Sequence, residues 1–310
     1  MAQPLSHWED TPTKQAILDF VDKVTASGGD SFVPPAERIA TFDNDGTLWC
    51  EQPLAQGAFI AQRLAAMAKA DPSLRDTQPW KAISNGDTSW INNAVTKHYN
   101  GDDTDLKALL GGVFKAFGDI TVEDFETQAA TFYGKALHPV YNQPYQKLGY
   151  MPMVELLGYL ESNEFTCYIV SGGGREFMRP ITESMYGIPP ARVVGSSSGL
   201  TFKADDNGAN VIRTAATGII DDGPGKPIQI WERIGRRPIL AAGNANGDVP
   251  MLQFAADQNG PTLCLLVHHD DATREVAYSA GAEQAIKTAA TQRWTTVSMK
   301  NDWSRVFSFQ

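Results

Sequence analysis

The sequence predicts an α/β protein, a Rossmann-like parallel sheet with helices on both faces and a helical insertion of about 100 residues after the first strand. Two observations predict it. From residue 151 onward, short apolar β-prone runs alternate with helical periods, and between the first such run and the second lies a stretch with helical periodicity alone.

The elements follow in order. Ala16, Ile17, Phe20, Val21 and Val24 recur at helical spacing within residues 13–25, and Gly28-Gly29 stop that helix. The run Arg38-Ile39-Ala40-Thr41-Phe42 is short and apolar, so it is a buried strand, and it ends in Asp43-Asn44-Asp45-Gly46-Thr47. Helical periods then occupy residues 54–70, 106–117 and 122–137, the last led by Thr121 with Asp124 three positions on, as in a capping box. Beyond them come helix 153–160, strand 165–170, helix 175–186, strand 192–195 and a hairpin over 200–214. Helix 227–234, strand 238–242, helix 248–256 and strand 262–267 complete the alternation. The expected division is a discontinuous core, 1–47 with 151–310, and an insertion, 48–150.

Composition narrows the function. The chain has 310 residues, a net charge of −10 and 42% hydrophobic residues, including 7 Trp, 9 Tyr and 14 Phe. A nucleic-acid binder carries a basic footprint, which this balance argues against. At about 150 residues per domain the length suggests roughly two domains. Apolar stretches such as 193–202 and 261–269 fall far short of the roughly 20 residues that a membrane span requires. Cys50, Cys167 and Cys264 form no CxxC pair or zinc spacing and are expected to be buried thiols. The start of the chain has neither the basic residues nor the apolar stretch of an export signal, so the default compartment is the cytoplasm. A chain whose export signal had been trimmed and replaced by Met-Ala, as a periplasmic protein's is, reads the same way. Oligomeric state is not legible.

In an open α/β sheet, ligands bind beyond the carboxyl ends of the strands. Here those ends carry Asp43 and Asp45, then Ser171 with Gly172-Gly173-Gly174, then Asn244 and Asp248, while Lys226 begins a helix. Two carboxylates, a hydroxyl beside flexible backbone, a lysine and another acid make a site for magnesium and a phosphate group. Gly225-Lys226 is no P-loop, because Pro227 follows and Ile220 stands where a glycine is needed. The histidines, His7, His98, His138, His268 and His269, show no HExxH or other metal spacing.

Through these four motifs, in this order, the sequence resembles the haloacid dehalogenase (HAD) superfamily of phosphohydrolases, in its phosphoserine-phosphatase-like branch with a helical cap. The resemblance spans residues 39 to 268. It implies magnesium-dependent hydrolysis of a small phosphate monoester, with Asp43 as nucleophile and Asp45 as acid and base. It makes Thr47, Ser171, Gly172 and Lys226 phosphate-binding, and the insertion a cap that selects the leaving group. Trp49, Glu51, Trp90, Lys97, His98 and Arg175 are candidate selectors, Arg175 foremost because it adjoins the glycine loop. The fourth motif of the superfamily usually reads GDxxxD, and its first acid coordinates magnesium with the nucleophile and the carbonyl of the residue matching Asp45. That acid is Asn244 here, which leaves Asp248 as the motif's sole carboxylate. The expected metal set is therefore Asp43, Asp45, Asn244 and Asp248, and the expected affinity is weak, because an amide oxygen brings no charge. A haloacid dehalogenase is disfavoured, since that branch lacks the acid at Asp45. A phosphotransferase or mutase sharing the aspartyl phosphate, and a non-catalytic phosphate-binding protein, are the alternatives.

Overall fold

A computed structural model describes residues 4–87, 89–90, 93–94, 97, 102, 104–205 and 208–310. The chain divides into two compact units, the larger formed by Met1–Gln52, Tyr133–Ser196 and Ile220–Gln310, the smaller by Pro53–Phe132 and Ser197–Ile219.

The larger unit holds a six-stranded sheet in the order β3-β2-β1-β6-β7-β8, every neighbouring pair parallel. Its strands are β1 (Ile39–Phe42), β2 (Thr166–Gly174), β3 (Val193–Ser196), β6 (Leu240–Gly243), β7 (Leu263–His268) and β8 (Thr295–Ser298). β1 and β6 are buried at every position, as strands covered on both faces must be, and accordingly they read as unbroken apolar runs. The order reverses at β1. Crossovers are right-handed, so those leading to β2 and β3 and those leading to β7 and β8 lie on opposite faces, and the reversal opens a crevice at the carboxyl ends of β1 and β6. Helix Arg175–Tyr186 has the expected bounds and stops on Gly187 in the left-handed region, φ 74°. The core on one face gathers Val170, Ile230, Ala241, Met251, Leu252, Leu266 and Trp294. All three cysteines are free and buried.

β2 runs four residues past the expected end. Ser171 pairs with Gly195 and Gly174 with Ser196, so Gly172 and Gly173 bulge out of the ladder at the sheet edge. The short helix Trp80–Ser84, helix Glu283–Gln292 and strand β8 were not expected from the pattern.

The smaller unit contains helices Ala55–Ala70 and Thr104–Phe117, most of Val122–Lys135, and the hairpin of β4 (Ser198–Asp205) and β5 (Gly208–Thr217). Phe59, Phe117 and Phe125 pack together at its centre, with ring centroids 5.0 to 5.7 Å apart. Thr121 caps its helix by accepting from the Asp124 N–H at 2.9 Å. The division differs from the expected insertion over 48–150 in two respects. The ends of that segment stay in the larger unit, where Cys50 N–H donates to the Leu148 carbonyl, Tyr150 N–H to that of Leu48, and Trp49 packs on Tyr133 and Tyr145. The hairpin joins the smaller unit because Arg213 exchanges backbone bonds with Asp119 and Ile120 and lays its guanidinium 3.8 Å from the Phe125 ring.

Candidate active site

β1 delivers Asp43, whose N–H donates to the Ala242 carbonyl at 2.9 Å and so continues the pairing with β6 by one residue. The chain then closes a tight turn in which the N–H groups of Thr47 and Leu48 point at the Asn44 carbonyl. Gly46 is required there. Its φ is +77°, and a Cβ would lie 2.7 Å from Asn244 Cγ and 2.9 Å from Glu51 Oε2.

Lys226, in the first turn of helix Gly225–Ile234, is 1% exposed and stretches to three acceptors: Asp43 Oδ1 at 2.6 Å, Asp248 Oδ1 at 2.5 Å and the Val170 carbonyl at 3.0 Å. One cation thus faces two carboxylates. Burial alone would push the ammonium pKa down, but Asp248 and Asp43 together more than offset it and the net shift is upward. Asp43 is held well above the ordinary carboxylate range by burial and by Asp248, against the pull of Lys226. Asp45 is pushed up to about 6, by burial and then by Glu51, while the Trp49 indole N–H, donating to its Oδ1 at 2.9 Å, acts in the opposite direction.

Ser171 is buried at the bulge, and its Oγ accepts from the Gly173 N–H at 3.1 Å. A Cβ on Gly173 would lie 3.3 Å from Asp45 Oδ2, so the glycine loop and the second aspartate face each other closely. Asp43, Asp45, Ser171, Gly172, Lys226, Asn244 and Asp248 thus occupy the sheet edge at which the sequence placed them.

Three of the expected roles do not fit the geometry. Both Asp248 oxygens are already bonded, Oδ2 by the N–H groups of Asn244 and Ala245, both at 2.9 Å, and Oδ1 by Lys226 at 2.5 Å. It anchors the lysine instead of facing a metal. Thr47 is fully buried and donates its hydroxyl to Asn244 Oδ1 at 3.1 Å, away from a phosphate role. Arg175 is tied to its buried neighbour Glu176, Nε at 2.9 Å and Nη2 at 2.5 Å. Of the other candidate selectors, Trp90 and Lys97 belong to the smaller unit, Lys97 paired with Asp105 at 2.6 Å. His98 lies outside the described residues.

Several residues at the site carry no motif. His269 is buried, faces the Gly46 carbonyl through Nε2 at 2.8 Å and faces Glu275 through Nδ1 at 3.2 Å. The Tyr278 hydroxyl donates to Glu51 Oε2, and Asn244 Nδ2 donates to the same oxygen at 3.2 Å. Asp221 is fully buried near Lys226, its two oxygens have no close hydrogen-bond partner among the described residues, and burial raises its pKa to about 7 against the pull of Lys226 and the Ser171 N–H. Position was an available signal for His269, which follows β7 as Asp43 follows β1; Tyr278 and Asp221 offered none.

The oxygen donors fit a hard cation of modest affinity. Asp43 is 6% exposed and its Oδ2 has no hydrogen-bond partner among the described residues. The main-chain bonds of the turn fall on the carbonyls of Asn44 and Trp49, the His269 ring faces that of Gly46, and no hydrogen bond among the described residues falls on that of Asp45. Beside them is the Asn244 amide. No group of three His, Cys, Asp or Glu side chains converges as a metal site among the described residues, so charged ligands are few.

No family model matches the chain, and no curated protein does. Among solved structures, it is similar to a conserved, functionally unknown protein from Anaerococcus prevotii DSM 20548, at 15% identity over 94% of this chain and 92% of that one, with a TM-score of 0.57. It is also similar to a protein of unknown function from Bordetella pertussis Tohama I, at 12% identity over 84% of this chain and 98% of that one, TM-score 0.52. A HAD family hydrolase from Salmonella enterica subsp. enterica serovar Typhi matches at 13% identity over 87% of this chain and 68% of that one, TM-score 0.44. What the first two likenesses establish is the fold, the parallel Rossmann-like α/β sheet that the motifs imply.

Proposed function

We propose that the chain is a phosphoric monoester hydrolase of the HAD type that acts on a small phosphorylated substrate and requires magnesium. One observation carries the reading: Lys226 bonds Asp43 at 2.6 Å at the strand end where Asp45 and the bulged Ser171 loop also lie. In the first step an Asp43 oxygen attacks phosphorus and the ester P–O bond breaks, its electrons leaving with the alkoxide, which takes a proton from Asp45. In the second, water attacks the phosphorus of the aspartyl phosphate, Asp45 takes the water's proton, and the bond to Asp43 opens to release phosphate. Lys226 offsets charge on Asp43 and the phosphoryl oxygens. The Ser171 hydroxyl and the N–H groups of the bulge donate to the phosphate, a transition state served by positioning and electrostatics. Magnesium, held by Asp43, the Asp45 carbonyl and Asn244, would supply further positive charge to the phosphate oxygens. Selection of the leaving group is assigned to the smaller unit as a cap, on the motif resemblance.

The test is a panel of small phosphate monoesters assayed for phosphate release with magnesium and with a chelator, using wild type and Asp43→Asn. Release that depends on magnesium and disappears in Asp43→Asn is expected. No release from any ester, or a wild-type rate in the variant, sinks the reading.

A further inference from the structure

The usual first acid of the fourth motif is replaced by Asn244, and the only other acid of that motif, Asp248, is fully engaged by Lys226 and two backbone N–H groups. Of the acids in the first and fourth motifs, Asp43 and Asp45 each keep one carboxylate oxygen without a hydrogen-bond partner among the described residues, and the reading above gives the Asp45 carboxyl to proton transfer, which leaves Asp43 for a cation. Affinity for a hard divalent ion depends on the number of charged ligands, so a site of one carboxylate, one amide and one carbonyl would be poor.

A second carboxylate lies beside it. Glu51 Oε2 is 3.2 Å from the Asn244 side-chain nitrogen, and it is one of the three atoms nearest to a Cβ built on Gly46. A half-turn of the amide puts oxygen where Nδ2 stands and turns the NH₂ toward Thr47, whose hydroxyl accepts as readily as it donates. Neighbouring ligands of an octahedral magnesium, with bonds of about 2.1 Å, are about 3.0 Å apart. The Glu51–Asn244 separation is close to that spacing. Glu51 also has a donor at the same oxygen, the Tyr278 hydroxyl, which lies 3.4 Å from the Asn244 side-chain nitrogen. The Tyr278 ring stacks on His269, centroids 4.3 Å apart, while His269 faces the Gly46 carbonyl. Ligating carboxylates are themselves commonly hydrogen-bonded by outer-shell partners, the part Tyr278 would play here.

We propose that Glu51 supplies the carboxylate missing at Asn244, and that Tyr278 orients it toward the cation as a positioning residue. The proposal rests on the magnesium-dependent reading above and deepens it: the charge of the fourth motif is moved to the segment that follows the Asp43–Leu48 turn. Its sequence position, eight residues after Asp43, lies outside all four motifs.

The experiment is calorimetric titration of magnesium into the full chain, stripped of metal by chelator, for wild type, Glu51→Gln, Tyr278→Phe and the double variant Glu51→Gln with Asn244→Asp. Glu51→Gln is expected to weaken binding at least tenfold, the lower end of what an outer-shell partner alone contributes. Asn244→Asp in that background should recover most of the loss, because it returns a carboxylate to the other side of the same 3.2 Å contact. Unchanged affinity in Glu51→Gln overturns the proposal and leaves the phosphatase reading intact. A loss that Asn244→Asp fails to recover, in a variant with native circular dichroism, makes the role of Glu51 structural and also overturns it. Should Glu51→Gln fail to fold, Tyr278→Phe decides, with weaker binding in favour and equal binding against. Absence of magnesium binding by wild type removes the magnesium requirement together with this inference.

Discussion

The stability of Asp221→Asn relative to wild type should rise with pH, to a net gain near pH 8. Asp221 is fully buried, both its oxygens lack close hydrogen-bond partners among the described residues, and its pKa stands at about 7 against 3.8 for the free side chain, with burial the main cause. The folded state therefore holds the proton through a window in which the unfolded chain has released it. Stability attributable to this group falls as pH rises from about 4 and reaches its full loss above about 7. The shift of roughly three units, at 1.36 kcal/mol each, puts that loss at about 4 kcal/mol near pH 8 and about 1.7 kcal/mol near pH 5. An asparagine does not titrate. Its buried NH₂ adds a cost of about 1–3 kcal/mol, but that cost is the same at both pH values and cancels from the difference. Urea unfolding of wild type and variant near pH 5 and pH 8 reads it directly: the stability difference should move about 2.5 kcal/mol in the variant's favour between the two. A difference that stays constant with pH would refute the reasoning and mean that Asp221 titrates alike in both states.

Asp45→Asn keeps an oxygen for the Trp49 N–H and should slow turnover of alkyl phosphates by about 10² to 10⁴, with a smaller loss on activated aryl esters, as steady-state rates on paired substrates would reveal. In wild type, kcat/KM for an alkyl ester should fall as pH rises past about 6, where Asp45 loses the proton it must donate; a profile flat from pH 5 to 8 on such esters contradicts the role. Lys226→Met leaves Asp43 and Asp248 buried without their cation and should cost about 3–5 kcal/mol at neutral pH, less under acid, checked by unfolding at both. Gly46→Ala should unfold at clearly lower temperature because its φ is positive and Asn244 fills the space. Gly172→Ala, whose Cβ meets only Asp222 at 3.5 Å, should melt like wild type, and equal melting of the two would contradict the packing described for the turn.

The alternation of strands and helices was legible because β1, β6 and β7 are buried runs whose composition directly reflects their environment. The same pattern exposed the site: strand ends in an open sheet converge, so Asp43, Ser171 and Asn244 needed only their order to be brought together. β8 escaped notice for the opposite reason. It is four residues long with one buried position, too little burial to leave a period. The bulge at Gly172 and Gly173 and the attachment of the β4–β5 hairpin to Asp119 and Ile120 depend on pairings between distant residues. No local pattern records them. Asp248 shows the limit most clearly. Its residue type and spacing suited a metal ligand, but whether its oxygens face a cation or a lysine is decided by Lys226, 22 residues earlier in the chain.

Charge balance gives that limit a physical sense. Asp43 already shares one buried ammonium with Asp248, and both carboxylates are out of water. An acid at 244 would add a third negative charge beside Thr47, which offers a single hydroxyl. Such a charge is costly wherever a cation is not bound to it. A neutral amide at that point, with the extra carboxylate moved to Glu51, puts the charge on a partly exposed side chain that has its own donor in Tyr278. On the proposal made here, binding of the cation then depends on a contact between the segment after the Asp43–Leu48 turn and the loop after β7, two segments that none of the four motifs joins.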